Sequence, residues 1–428
     1  MKYQSIDTIA VHGGHTPDPV TGARAVPIYQ TTAYQFKDAD HAARLFDLAE
    51  PGYIYTRLNN PTVEVLENRM SMLEGGTGAV ATSSGQFAEF MVFTSIAEAG
   101  DEIITTNRLY GGTNNLFFST FKKLGIKFIG IDHDDFEAIE GAITDKTKGI
   151  YLETVSNPGN DIPNMEKVAE IAHRNGLPLI VDNTYPTPYL CRPKDFGADV
   201  VIHSVTKFLG GHGNSMGGVA VDLGTFDWAA SGRFPGFTEP DPSYHGVVYS
   251  ETFGNMALAV KMRVQIMRDI GGCMTPMNAF LLLQGIETLH LRMERHVENA
   301  GRVARFLEGH PAVERVSYPD LDGNKNAERL KKYLPKGSGA MLSFELKGGY
   351  ESGKAFIEGV ELATHLTNLG DTRTLVTHPA STTHRQLSTE QKQAAGIGEG
   401  LIRMSIGIEG SEDILADLEQ ALAKAEQV

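Results

Sequence analysis

Between Gly78 and Val221 the chain repeats one pattern: a short, almost unbroken apolar run followed by a stretch of helical spacing. The runs are Gly78–Thr82, Glu102–Thr106, Lys127–Ile131, Gly149–Glu153, Leu177–Asp182, Val200–His203 and Gly218–Val221. Strands that are apolar throughout are buried on both faces, and the helices that connect them supply the cover. The connector Asn164–Asn175 shows the fit, because Met165, Val168, Ile171 and Ala172 fall on one helical face. The pattern predicts an α/β fold around a mainly parallel, seven-stranded sheet. In such a sheet, side chains at the carboxyl ends of strands are placed to meet a ligand.

The flanks differ. Residues 1–61 are rich in glycine and polar groups, as in HGGHTPDPVTGARAVP, with an alternating IYQTTAYQF and a turn-rich EPGYIYTRLNNP. They read as an arm that gains order on another body, such as a second subunit. Residues 62–268 form the expected large domain and 269–428 a smaller carboxy-terminal α/β domain. There, a helical stripe runs from Met277 through Leu282, Ile286, Leu289, Met293 and Val297 to Ala300. Met277 and Met293 read as core packing. Ala340–Leu346 and Leu401–Ile408 are predicted strands, and Ser411–Ala425 a closing amphipathic helix.

Composition narrows the partners. A formal charge of −15, from 38 Lys plus Arg against 53 Asp plus Glu, disfavours binding to a phosphate backbone. No segment nears the roughly 18 apolar residues of a membrane span, and the amino terminus lacks the apolar core of a signal peptide. Two cysteines, Cys191 and Cys273, make neither a disulfide framework nor a four-ligand zinc pattern. A reducing cytoplasm is the expected location.

Chemistry concentrates at strand ends. Asp182 closes LPLIVD, and Lys207 follows the next apolar strand in ADVVIHSVTKF. A lysine that holds some neutral amine can attack a carbonyl, and an aspartate facing a ring nitrogen would keep it protonated. Read alone, Asp182 is as readily a strand-end cap and Lys207 a surface cation. Ser83-Ser84-Gly85-Gln86 opens a helix whose first N–H groups attract an anion, with Ser204 and Thr206 as hydroxyl donors; Ser84 is equally a simple N-cap. Tyr55 and Arg57 of YIYTR offer a phosphate a hydroxyl and a fork, or else are arm residues. Tyr110 of NRLYGG can lie against a planar ring or pack in a core. Asn157 can donate to a cofactor oxygen or hold the Asn-Pro turn. Arg403 interrupts an apolar strand, where it receives a carboxylate or pairs with a structural acid. SVTK lacks the partner motifs of serine acyl enzymes, and the glycine-rich segments match neither nucleotide loop. His12 with His15, and His378 with His384, lack a metal-ligand motif, so no metal is expected.

Taken in order, SSGQFA, SNPGNDIPN, IVDNTY and HSVTKFLGGHGNSMGG resemble the Cys/Met-metabolism family of pyridoxal-phosphate (PLP) enzymes over nearly the whole chain. The resemblance implies PLP as cofactor, the fold type I, aspartate-aminotransferase-like transferase fold, and a homotetramer of catalytic dimers. It implies that Lys207 binds the cofactor covalently, Asp182 faces its ring nitrogen and Tyr110 stacks on the ring. Gly85, Gln86, Ser204 and Thr206 would hold the phosphate, joined by Tyr55 and Arg57 of a neighbouring subunit. Asn157 would meet the cofactor oxygen, and Arg403 with Asn368 the substrate carboxylate. Within the family, NAFLLLQGIETLHLRMERH and LGDTRTLVTHPASTTHRQL are most similar to members that exchange the acetyl ester of O-acetylhomoserine for sulfide, giving homocysteine. Cystathionine formation and γ-elimination are the alternatives, beside a non-catalytic cofactor-bound role. Methionine-cleaving members carry cysteine after Tyr-Gly, where this chain has Gly112.

Overall fold

A computed structural model describes residues 3–156, 159–382 and 398–428. The seven expected strands all form: β1 (Gly78–Thr82), β2 (Glu102–Thr106), β3 (Lys127–Ile131), β4 (Thr147–Glu153), β5 (Leu179–Asp182), β6 (Val200–His203) and β7 (Gly218–Asp222). They make one sheet in the order β1-β7-β6-β5-β4-β2-β3, in which only the pairings of β7 are antiparallel. The carboxyl ends of the other six strands therefore share one edge. There the register sets Glu153 beside Asp182.

Local chemistry explains the connectors. Helix Met165–Arg174 starts where the Asn164 side chain accepts from Lys167 N–H, and it buries Met165, Val168, Ile171 and Ala172. Apolar side chains cover both faces of the sheet. On one face Phe93, Phe117, Phe128 and Tyr151 pack together, with Phe93 edge-on to Phe117 at 5.2 Å between ring centroids.

A second sheet of five strands lies in the carboxy-terminal part: β8 (Val313–Ser317), β9 (Met341–Leu346), β10 (Thr364–His365), β11 (Leu375–Thr377) and β12 (Leu401–Ser405), ordered β10-β11-β12-β9-β8. The expected strand Leu401–Ile408 is thus shorter, ending at Ser405, while helix Ser411–Ala425 forms as predicted.

Three expectations need correction. The stripe from Met277 to Ala300 is not one helix but two, Pro276–Glu287 and Leu289–Glu308, parted at Thr288 (φ −108°, ψ 12°). At this break Arg292 turns back onto the Gly285 carbonyl (2.7 Å) and donates to the carbonyls of Phe208 (2.7 Å) and Leu209 (3.1 Å), just past Lys207. Met293 is core, but Met277 is 47% exposed, because it lies on the outer side of the first turn. The arm is also less detached than expected. Its helix Ile6–His12 buries Ile9 and Ala10, and Arg69 Nε donates to the Gly13 carbonyl at 2.9 Å. By contrast, IYQTTAYQF makes no strand, only an isolated bridge between Ala33 and Tyr55. Among the described residues no helix is long and apolar enough to cross a membrane.

Candidate active site

A cavity of about 240 Å³ opens at the shared carboxyl edge of the large sheet. Residues following β1, β2, β4, β5 and β6 line it, so five separate strands deliver side chains to one place. It collects Gly85, Gln86, Tyr110, Asp182, Ser204, Thr206 and Lys207, each expected from the sequence.

The helix Gly85–Ile96 points its amino end into the cavity, capped by Ser84 Oγ accepting from Phe87 N–H at 3.1 Å. Its first N–H groups have no helical acceptor and suit an anion. A side chain at Gly85 would place its Cβ 2.7 Å from that of Ser204, so glycine is what lets this turn approach the loop after β6. Thr206 Oγ1 donates to the Gly217 carbonyl (3.1 Å) and accepts its N–H (3.0 Å), which fixes the loop leading to Lys207.

Lys207 stands out in this cavity by its amine. Burial, and then the charge of Arg403, push its amine down to about 8, so about a tenth of it is neutral near pH 7. Its Nζ donates to Asn368 Oδ1. Asn368 arrives on a loop that presses close: at Gly370 (φ +75°) a Cβ would lie 2.5 Å from the Phe208 nitrogen, a backbone only glycine adopts freely. The guanidinium of Arg403 on β12 acts on both Lys207 and Tyr185. Asp182 faces the cavity from the end of β5; burial pushes its carboxyl up, and the N–H of Thr184 (2.8 Å) pulls it part-way back.

Four expected residues are not among those that line the cavity: Asn368 and Arg403 act on it through Lys207, and Tyr55 and Arg57 lie apart. Tyr55 (40% exposed) and Arg57 do not reach this cavity; the guanidinium of Arg57 lies 5.1 Å from the Tyr55 ring, and both face outward. Asn157 and His384 fall outside the described residues. His378 is a core histidine, its Nε2 2.7 Å from the Glu399 carbonyl oxygen. Asp132, His133 and Asp134 gather, but Arg108 binds Asp132 (3.1 Å) and Arg329 binds Asp134 (2.7 Å), so the group is an ion-pair network.

Sequence reasoning missed Glu89, Glu153 and Tyr185, all of which line the cavity. Glu153 Oε1 accepts the Tyr110 N–H at 2.7 Å and thereby sets the start of that loop. Glu89 interrupts the apolar helix FAEFMVF, the one local signal that could have exposed it. Thr113 (2.8 Å) and Tyr151 (2.9 Å) donate to it, yet burial and then the charge of Asp182 push its carboxyl up to about 8. The folded chain therefore keeps this proton up to about pH 8, whereas the unfolded chain releases it near 4.5. Through this group stability falls as pH rises from the lower value toward the higher. In cofactor-free protein, Glu89→Gln should cancel that loss, so its melting temperature should gain on the unsubstituted protein between about pH 5 and about pH 8. A difference that stays constant across that range would mean Glu89 ionises in the ordinary way.

Comparison with known proteins now decides the family. The model for "Cys/Met metabolism PLP-dependent enzyme" matches residues 7–423. The chain belongs to that family. It is 53% identical to an O-acetyl-L-homoserine sulfhydrylase of Leptospira meyeri, over 97% of this chain and 96% of the relative. It is 51% identical to a homocysteine synthase of Schizosaccharomyces pombe, over 99% of this chain and 100% of the relative. Among solved structures, a putative O-acetylhomoserine (thiol)-lyase of Campylobacter jejuni superposes with a TM-score of 0.95 at 40% identity, covering 98% of this chain and 100% of that one. That protein carries N'-pyridoxyl-lysine-5'-monophosphate. A cystathionine γ-lyase of Lactobacillus plantarum follows with a TM-score of 0.85 at 34% identity, covering 99% and 100%.

The fold is thus that of a fold type I PLP enzyme, and PLP is the cofactor of the family. The cavity suits it on independent grounds. It offers an anion a helix amino end backed by a glycine close approach, a carbonyl a lysine whose amine is easier to deprotonate than usual, and a ring nitrogen the carboxyl at the end of β5.

Proposed function

We propose that the protein catalyses γ-replacement on O-acetyl-L-homoserine, in which sulfide takes the place of acetate to give L-homocysteine. The observation that carries this reading is the pairing of Lys207, its amine lowered to about 8, with Asp182 in one cavity, in a chain so similar along its length to an O-acetylhomoserine sulfhydrylase.

Roles follow from the chemistry of each side chain. When bound, PLP supplies an electron sink for negative charge developing on the substrate carbon. Lys207 would hold the cofactor, and its free amine would take the proton from Cα and move protons at Cα and Cβ. Acetate then leaves Cγ, sulfide bonds there, and the protons return. Asp182 keeps a proton at the ring nitrogen, and Tyr110 covers the ring face. Gly85, Gln86, Ser204 and Thr206 cradle the phosphate. Arg403 with Asn368 orients the amino acid by its carboxylate. Asn157 donates to the cofactor oxygen.

Assembly completes the site in this reading. The exposed Tyr55 and Arg57 suit a role in a neighbouring subunit's phosphate cradle, which makes 1–61 an arm contributing to the neighbouring active site, beside the large (62–268) and small (269–428) domains. A homotetramer of catalytic dimers in the cytoplasm is the corresponding assembly.

The test is chromatographic product analysis with cofactor-loaded protein, given acetyl- or succinylhomoserine together with sulfide, cysteine or neither. Homocysteine should dominate with the acetyl ester and sulfide, with acetate released in equal amount. Dominant 2-oxobutanoate and ammonia in every condition would make the protein a lyase. Preferential cystathionine with cysteine would make it the other transferase.

A further inference from the structure

The turn after β5 is pinned at each residue but one. Asn183 donates to Glu74 (3.0 Å) and to the Cys191 carbonyl (2.9 Å), and Thr184 Oγ1 accepts the Ser204 N–H (2.8 Å). Tyr185 comes next, and its hydroxyl is shielded from solvent yet has no hydrogen-bond partner. Among the buried side-chain polar atoms of the described residues that lack a partner, this hydroxyl is the one whose residue lines the cavity. A buried hydroxyl left unsatisfied is costly, and in a native protein it calls for a missing partner.

Its surroundings say what kind. Burial pushes the Tyr185 hydroxyl up, so it stays a phenol and acts as a donor to whatever acceptor enters. Of the charged neighbours, Arg403 acts on it most strongly, ahead of Glu153 and Asp182. An acceptor that relieves this hydroxyl must therefore be an oxygen drawn to Arg403 and disfavoured by nearby carboxylates only in so far as Arg403 fails to offset them. In the proposed reading the phosphate is assigned to the start of helix Gly85–Ile96, which leaves the cofactor-ring oxygen and the substrate carboxylate as acceptors for this hydroxyl. The proximity to Arg403 selects the second.

We propose that the Tyr185 hydroxyl donates a hydrogen bond to the α-carboxylate of the amino-acid substrate, sharing that anion with Arg403. The inference rests on the assignment of Arg403 to the carboxylate. Tyr185 is then a substrate-binding residue contributed by the large sheet, which complements an arginine contributed by the small one. It would favour amino acids with a free carboxylate over their amides or peptides.

The test uses holoenzyme with L-norleucine, which has no leaving group, and L-norleucinamide, which lacks the anion. Binding is read from the absorbance change of the bound cofactor. Tyr185→Phe should weaken norleucine about 10-fold, the range of a hydrogen bond to a charged group, and norleucinamide by less than about twofold. Cofactor affinity and absorbance without amino acid should be unchanged, which also shows that the variant folds. Equal losses for both probes, no loss for either, or an altered cofactor spectrum in the resting enzyme would each overturn the proposal; the last would assign the hydroxyl to the cofactor. Arg403→Ala is the parallel arm. If it weakens both probes equally, the assignment of Arg403 fails, while the ratio measured for Tyr185→Phe still judges Tyr185 by itself.

Discussion

Lys207→Ala should lower kcat for the acetylhomoserine reaction by at least about 1,000-fold, since it deletes both a nucleophile and the proton carrier. Among the described residues no other lysine lines the cavity, so none of them offers a neighbouring amine to take over. Burial and Arg403 hold this amine near 8, poised to be neutral for attack and still basic enough to accept a proton. The phosphate cradle and Asp182 remain in the variant, so the cofactor should still bind without its covalent link. Steady-state rates measured with the cofactor content of the same samples separate lost chemistry from lost cofactor. A loss of less than about tenfold in cofactor-replete protein would remove Lys207 from the centre of the mechanism.

Asp182→Asn should cost about 100-fold or more in kcat, the scale on which a preorganised charge at a reacting group acts. The substitution keeps size and keeps an oxygen for the Thr184 N–H, but it removes the anion proposed to hold a proton on the ring nitrogen. Stability should respond in the opposite sense. Burial pushes the Asp182 carboxyl up, so its charge is a burden to the cofactor-free chain. The variant's cofactor-free form should therefore melt no lower than the unsubstituted one, while its turnover collapses. Parallel loss of stability and activity would instead make Asp182 a structural strand-end cap.

The parts of the fold that were legible in the sequence are those written in local pattern. Apolar runs doubly buried in a sheet announce themselves, and the seven strands of the large sheet came within two residues of the expected bounds. Asp182 and Lys207 were legible because they stand where such runs end. Glu89 was not: an acid in a helix ordinarily reads as a solvated face, and what buries it is Tyr151 on a strand 62 residues away. Tyr185 was hidden for a similar reason, since an orphaned hydroxyl is a property of the assembled cavity. The break at Thr288 escaped because the apolar steps of three and four residues continue across it, while the contacts that accompany it, from Arg292 to the Phe208 and Gly285 carbonyls, exist only in the folded chain. The roles of Tyr55 and Arg57 came from family resemblance, because one chain leaves both exposed.

The central claim is that the cavity around Lys207 is where PLP is held for catalysis. Borohydride reduction of the loaded protein, followed by peptide mapping with mass spectrometry, tests it most directly. The account predicts the reduced pyridoxyl adduct on the peptide that contains HSVTKF, at Lys207, in proportion to the activity lost. A clean adduct on any other lysine, with Lys207 unmodified and activity abolished, would contradict it.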